Sequence, residues 1–141
     1  MEKEKNNTES GFLVKNIILL QSNFVRQAQL IQEQSRLKST YDINLGVNVK
    51  GNEVFVQETL TYVQTGDDKK QIEAVISMVG VFEQVGESKI KSLEEFGNIN
   101  GGAIIFPFIR EHFAGLMLKA GLGNALLPPV DFTNPKIVTD N

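Results

Sequence analysis

The run from Leu37 to Val49 constrains this chain more than any other stretch. Leu37, Tyr41, Ile43, Leu45, Val47 and Val49 alternate with Lys38, Thr40, Asp42, Asn44, Gly46 and Asn48, and Ser39 is the one polar residue on the apolar side. Side chains of a strand point alternately to its two faces, so this spacing predicts a strand with one dry face and one wet face. Lys50-Gly51-Asn52 predicts a tight turn, because Gly and Asn tolerate positive φ. A second strand is expected over Glu53–Gln64, with Val54, Val56, Leu60 and Tyr62 on one face. Gly66-Asp67-Asp68 is a second turn. A third strand follows over Lys70–Val85, with Ile72, Ala74, Ile76, Met78, Gly80 and Phe82 on one face and Val75, Val79 and Val81 on the other. Short turns in succession force antiparallel pairing. A dozen residues at roughly 3.3 Å each reach about 40 Å, twice the usual strand, so the sheet must be long and twisted.

Upstream, Phe12, Val14, Ile18, Leu20 and Phe24 share even positions, while Leu13, Ile17 and Leu19 lie on the other face. This predicts a further strand, partly buried on both sides, with a bulge near Lys15-Asn16. Val25–Glu33 is glutamine-rich, through Gln27, Gln29 and Gln32, and reads as a connection rather than a core element. Residues 1–10 are charged and polar and are expected to form a disordered tail.

After the strands the period changes. Ser88–Phe96 places Ile90, Leu93 and Phe96 at three-residue spacing, a short helix, and Gly97–Gly102 (GNINGG) reads as a breaker. Ala103–Ala120 carries the stripe Phe106, Ile109, Phe113, Leu116, Met117 and Ala120 and predicts a long helix. Pro107 is expected in its first turn, with Gly121 and Gly123 at its C-terminal end. Phe108, Gly115 and Leu118 lie away from the stripe. A helix apolar around most of its circumference needs a second covering surface, expected from another copy of the chain. Asn124–Phe132 is apolar and stiffened by proline, and residues 133–141 read as a polar tail. The expected fold is α+β: a long four-stranded antiparallel sheet followed by a short and a long helix packed on one face. The 141 residues form a single domain, over 11–132.

Composition narrows the chemistry. There is no cysteine, so thiolate metal sites and thiol nucleophiles are excluded, and one histidine excludes a multi-histidine metal site within a chain. A net charge of -3 argues against nucleic acid as a partner. No apolar run is long enough to insert in a membrane or to serve as a secretory leader, so the cytoplasm is the expected compartment. His112 has Glu111 beside it, but adjacent helical positions diverge, and the same holds for Glu94-Glu95. Neither glycine cluster has the spacing of a phosphate loop. No catalytic constellation emerges, and neither enzymatic activity nor a cofactor is expected. Nine phenylalanines are spread along the chain, and any surplus facing solvent would line a groove for an extended apolar peptide.

Three segments carry a resemblance. Ile104–Glu111 (IIFPFIRE) resembles the ILFPYARE motif that opens the long helix of SecB-type export chaperones. Leu127–Phe132 (LPPVDF) resembles that family's LAPVNF loop, and Gly80-Val81-Phe82 is similar to its GIF near the end of the fourth strand. The resemblance spans residues 12–132. It implies a homotetramer, a dimer of dimers with the long helices sandwiched between two sheet layers. Phe108, His112, Gly115 and Leu118 would then lie in the oligomer interface. It also implies ATP-independent binding of unfolded, export-competent polypeptides and their delivery to the SecA motor. Phe24, Phe55 and Phe82 are the candidate aromatic wall for clients, with Leu122, Leu126, Leu127 and Val130 contributed by the loop.

Two departures bear on SecA. Val75 stands where family members that engage SecA carry a glutamate, and the helix that follows the loop in the family is reduced to residues 133–141, with Pro135 inside. Both predict weak or absent SecA binding. A chaperone dedicated to a toxin–antitoxin pair or another specific client is the alternative within the family. A hot-dog-like acyl-thioester enzyme also wraps a sheet around a helix. It places that helix before most strands, however, and needs a carboxylate in it, for which Glu111 is the one candidate here.

Overall fold

The computed structural model describes residues 11–86, 92–123, 126–133 and 138–140. The expected tail over 1–10 lies outside the described residues, as do the first residues of the expected short helix. Four long strands, β1 (Phe12–Arg26), β2 (Leu37–Lys50), β3 (Glu53–Gly66) and β4 (Lys69–Gln84), are joined by a short fifth, β5 (Val138–Asp140). The order is β1-β4-β3-β2-β5, and every pairing is antiparallel. β5 pairs with Ser39–Tyr41 of β2, so part of the segment expected as a polar tail extends the sheet.

Both hairpins turn at the residues expected. Gly51 has φ +62° between β2 and β3, and Asp67 and Asp68 have φ 52° and 67° between β3 and β4. Short polar side chains visit this left-handed region more readily than other L-residues. The inner face of the sheet carries Tyr41 and Ile43 of β2, Val54, Val56, Leu60 and Tyr62 of β3, and Ile72, Ala74, Ile76, Met78 and Phe82 of β4, all buried. Alternation chose these residues correctly because β2 pairs with β3 without a bulge and the irregularity between β3 and β4 falls before Ile72, so each strand keeps its parity along the stretch that carries them.

β1 breaks that parity twice. One bulge falls between Val14 and Asn16, as expected, and a second between Leu19 and Gln21. Phe12 and Phe24 face inward, but between the bulges Ile17 and Leu19 stand opposite the inner residues Gly80 and Met78, and Ile18 is turned outward. Leu20, expected on the inner face, is the extra residue of the second bulge and is exposed. Even spacing therefore holds only at the two ends of this strand.

The helical region departs from expectation at the glycines. α1 (Leu93–Glu95) is capped by Ser92 Oγ, which accepts from the Glu95 N–H at 2.9 Å. It continues through a π-helical segment (Phe96–Gly101) directly into α2 (Gly102–Lys119). The GNINGG stretch is thus no breaker but the part of the helix pressed hardest on its surroundings. A Cβ at Gly97 would lie 2.7 Å from Val47, one at Gly101 2.9 Å from Val56, and one at Gly102 2.7 Å from the Phe132 ring. These glycines are there for close approach. Pro107 accordingly sits in the helix interior rather than its first turn. At the other end Gly121, with φ +82°, and Leu122 close a Schellman motif through N–H bonds to Leu118 and Met117.

Ile105, Phe106, Ile109, Phe113 and Met117 of α2 pack on the inner face of the sheet. Phe96 stacks on Phe12 at 3.7 Å between centroids and meets Phe82 edge-on, while Phe106 holds Phe132 of the loop. One core residue is unlike the rest. Glu58 is fully buried on the inner face of β3, between cross-strand neighbours Leu45 and Met78, and neither carboxyl oxygen has a hydrogen-bond partner among the described residues. Burial pushes its carboxyl up to about 9, so it is a neutral acid at pH 7.

Candidate functional site: a groove at the end of the long helix

A cavity of about 420 Å³ opens where α2 ends. Its floor is the β2–β3 end of the inner sheet face, with Tyr41, Tyr62, Ser39 and Gln64. Phe113 and Met117 of α2 close one side, and the ring of Phe113 lies against that of Tyr62 at 4.7 Å. Ile31, from the connection between β1 and β2, and Leu37, the first residue of β2, form another wall. Leu122, Leu126, Leu127 and Pro128 roof it from the segment after α2.

The wall built from the connection is held by one side chain. Gln71 Nε2 donates to the Ile31 carbonyl at 3.0 Å, and the Ile31 N–H donates to Gln71 Oε1 at 3.0 Å. The Gln71 carbonyl accepts from the Gln27 N–H at 3.0 Å. Gln71 Nε2 also donates to Gln64 Oε1 at 2.9 Å, and Gln64 Nε2 reaches Ser39 Oγ at 3.3 Å and Tyr62 Oη at 3.4 Å. Ser39 and Tyr62 share a hydrogen bond of 3.0 Å. Gln71 is able to face inward because it is the extra residue of a β4 bulge: Gln64 pairs with Ile72 and Thr65 with Lys70. At the opposite corner Arg26 Nε donates to the Ala120 carbonyl at 2.9 Å, tying the end of β1 to the C-terminus of α2.

The groove brings together Leu122, Leu126 and Leu127 of the residues expected to bind clients. Leu126 is 68% exposed at the rim, whereas Leu127 is buried and anchors the roof in the core. Phe82 is not a wall: it is fully buried beside Phe96. Phe24 is half-buried against the core from β1, Phe55 is half-buried on the outer face of β3, and Val130 packs against the core beyond the groove. Sequence reasoning missed Tyr41, Tyr62, Gln64, Gln71 and the whole Ile31 wall.

Phe108 and Leu118, expected at the oligomer interface, lie on the outer side of α2 at 49% and 66% exposure. Gly115 lies in the same shallow depression as Leu118, and a Cβ there would touch nothing. His112 is turned toward β1, where its Nε2 is 2.8 Å from Ser22 Oγ. Among the described residues no cluster of three metal-ligating side chains occurs, and no helix is long and apolar enough to cross a membrane.

A long antiparallel sheet with one continuous helical segment laid across it and a groove at the helix end defines an α+β domain. The family model of SecB, preprotein translocase subunit SecB, matches residues 12–134, and the chain belongs to that family. It is 27% identical over 128 residues to the protein-export protein SecB of Saccharophagus degradans, covering 87% of this chain and 75% of that one. It is 24% identical over 126 residues to an uncharacterized protein of Methanocaldococcus jannaschii, covering 86% and 77%. Among solved structures it resembles the Mycobacterium tuberculosis SecB-like chaperone Rv1957 in complex with a peptide from the HigA1 antitoxin. The TM-score is 0.69 at 14% identity, covering 84% of this chain and 90% of the other. The SecB family is not an enzyme class.

Proposed function

We propose that this chain is an ATP-independent holding chaperone, acting as a cytoplasmic homotetramer that keeps unfolded polypeptide segments from aggregating, with export as its setting. One observation carries the reading: a groove of about 420 Å³, lined by aromatic, aliphatic and amide side chains, has its Ile31 wall fixed by two hydrogen bonds to Gln71. A pre-formed groove loses less ordering entropy when an extended segment enters. Apolar contact supplies the affinity, and several weak grooves on one assembly would act together through effective concentration. The outer side of α2, with Phe108 and Leu118 exposed, supports burial against a second copy. The test is aggregation of a chemically unfolded client followed by light scattering. The protein should delay it at stoichiometric ratio without nucleotide, and Leu126→Asp should remove the delay; an undiminished delay would place the client elsewhere.

A second reading is a chaperone dedicated to a toxin–antitoxin pair or another single client. It is favoured by the likeness to a SecB-like chaperone holding an antitoxin peptide, and by Val75 at the position where the resemblance leads one to expect an acidic residue. Capture on the tagged protein from its own cells separates the two: one dominant client supports the dedicated reading, and many nascent proteins support the general one.

A further inference from the structure

Resting on the groove being the client site, we propose that the edge of β2 beside the groove floor takes a client's main chain as an added antiparallel strand, and that β5 holds this seat until a client displaces it. Ser39 and Tyr41 belong to the groove floor. The same two residues pair with β5, Ser39 opposite Asp140 and Tyr41 opposite Val138. The floor of the groove and the seat of β5 are therefore one stretch of one strand, its face in the first case and its edge in the second.

β5 covers little of that edge. It pairs with Ser39–Tyr41 alone, and among the described residues Asp42–Lys50 meet no strand on their outer side. An uncovered edge offers main-chain N–H and C=O groups to any extended chain, and natural edges are commonly guarded by charge or proline. The middle of this edge carries Asn44, Gly46 and Asn48 on the outer face of the sheet and has neither guard there. Exchanging β5 for an equal length of client trades like bonds for like, at little net change. A client that runs in the direction of β5 and continues along Asp42–Lys50 gains pairs that β5 does not make. Residues directly opposite one another share a face, so its side chains opposite Ser39 and Tyr41 fall on the groove side. One binding event thus uses apolar contact in the groove and main-chain pairing at its edge. A seat occupied about nine-tenths of the time lowers the apparent affinity of a client about tenfold.

The experiment titrates the full chain against a fluorescein-labelled peptide in which leucine or phenylalanine alternates with serine, acetylated and amidated, read by anisotropy. Successive N–H groups of a strand point to opposite sides, so Val138→Pro and Thr139→Pro each remove one N–H, on different sides of β5. The variant that loses the N–H facing β2 should bind the peptide about tenfold more tightly than wild type. A chain stopped after residue 137 should match it. All three binding within about twofold of wild type overturns the proposal. Hydrogen exchange on the wild type gives a second readout. Saturating peptide should open the amides of Val138–Asp140 to exchange and add protection within Asp42–Lys50, whereas β5 amides that stay protected at saturation also overturn the proposal. Leu126→Asp separates the two levels. If it leaves peptide binding unchanged, the groove is not the client site and the proposal falls with that reading. If it abolishes binding while the two proline variants and the shortened chain bind as wild type does, the groove stands and the strand exchange alone fails.

Discussion

Gln71 and Ile31 are paired as two strands would be, side-chain amide against main chain, with both bonds at 3.0 Å. Gln71 is nearly buried, so the pair fixes the groove wall out of reach of competing water. Gln71→Ala should leave the Ile31 N–H and carbonyl without their partner, costing about 1–3 kcal/mol in urea unfolding. It should also weaken peptide binding more than Gln29→Ala on the same connection does. Gly66→Ala should act in the same direction, because its Cβ would lie 2.8 Å from Gln71 Oε1 and 3.2 Å from Ile31. Wild-type affinity in Gln71→Ala would show that the wall holds without the clamp.

Glu58 should make stability depend on pH. Its carboxyl is pushed up to about 9 by burial alone, against an unfolded value of 4.5. Between those limits the folded chain holds a proton that the unfolded chain has released. Stability is therefore fully present below pH 4.5 and falls as pH rises through about 9. The slope from this group approaches 1.4 kcal/mol per pH unit, an order-of-magnitude figure. Glu58→Gln keeps the shape and removes the titration. Its unfolding midpoint should match wild type near pH 4 and exceed it by a widening margin toward pH 8; parallel curves would mean that Glu58 finds a partner in solution.

Phe108 should report the assembly. Half of its surface is exposed in a single chain, so a charge there leaves the core untouched. Light scattering on the wild type should give roughly four times the 15.7 kDa chain mass. Phe108→Asp should lower that mass while the unfolding midpoint of the dissociated chain stays close to wild type at equal dilution. A monomeric wild type would remove the assembly reading.

Val75 lies on the outer face of β4, opposite Asn23 of β1 and Thr61 of β3. Neither neighbour supplies the negative charge that the family resemblance leads one to expect there. Binding to SecA from the same cells should be weak or absent, and Val75→Glu should strengthen it in a salt-sensitive way. Tight, salt-resistant binding by the wild type would show that another surface makes the contact.

The sheet was legible because hairpins preserve parity: alternation through β2, β3 and β4 named the inner face correctly from Tyr41 to Phe82. What escaped was whatever breaks parity or carries no pattern. The Lys15 and Leu20 bulges invert the stretch of β1 between them, and the Gln71 bulge turns a polar residue beside Ile72 inward against Ile31. Glycines that end helices and glycines that let a helix touch a sheet look alike in sequence, so GNINGG reads as a break where the helix in fact continues. The Ile31 wall has no periodicity at all, because it is positioned by Gln71 from forty residues away. Of the groove, only Leu122, Leu126 and Leu127 were visible, as apolar residues in a proline-stiffened segment with nothing local to pack on.

Leu126 and Leu127 are neighbours with opposite duties, and the pair offers the sharpest separation of binding from folding. Leu126 is 68% exposed at the groove rim, and Leu127 is 3% exposed in the core cluster. Changing both to Asp would place an unpaired charge among buried apolar side chains. Leu127→Ala alone removes buried methyl groups and should cost about 2–5 kcal/mol in urea unfolding. The roof over Phe113 and Met117 should loosen with it. Leu126→Asp should leave the unfolding midpoint within about 0.5 kcal/mol of wild type, as expected of an exposed position. Its loss should fall on client holding, because the rim that meets the entering segment then carries a charge. The two substitutions thus move different observables. A Leu126→Asp chain that unfolds as early as Leu127→Ala would show that the roof is one cooperative element, and that the groove depends on it for shape rather than contact.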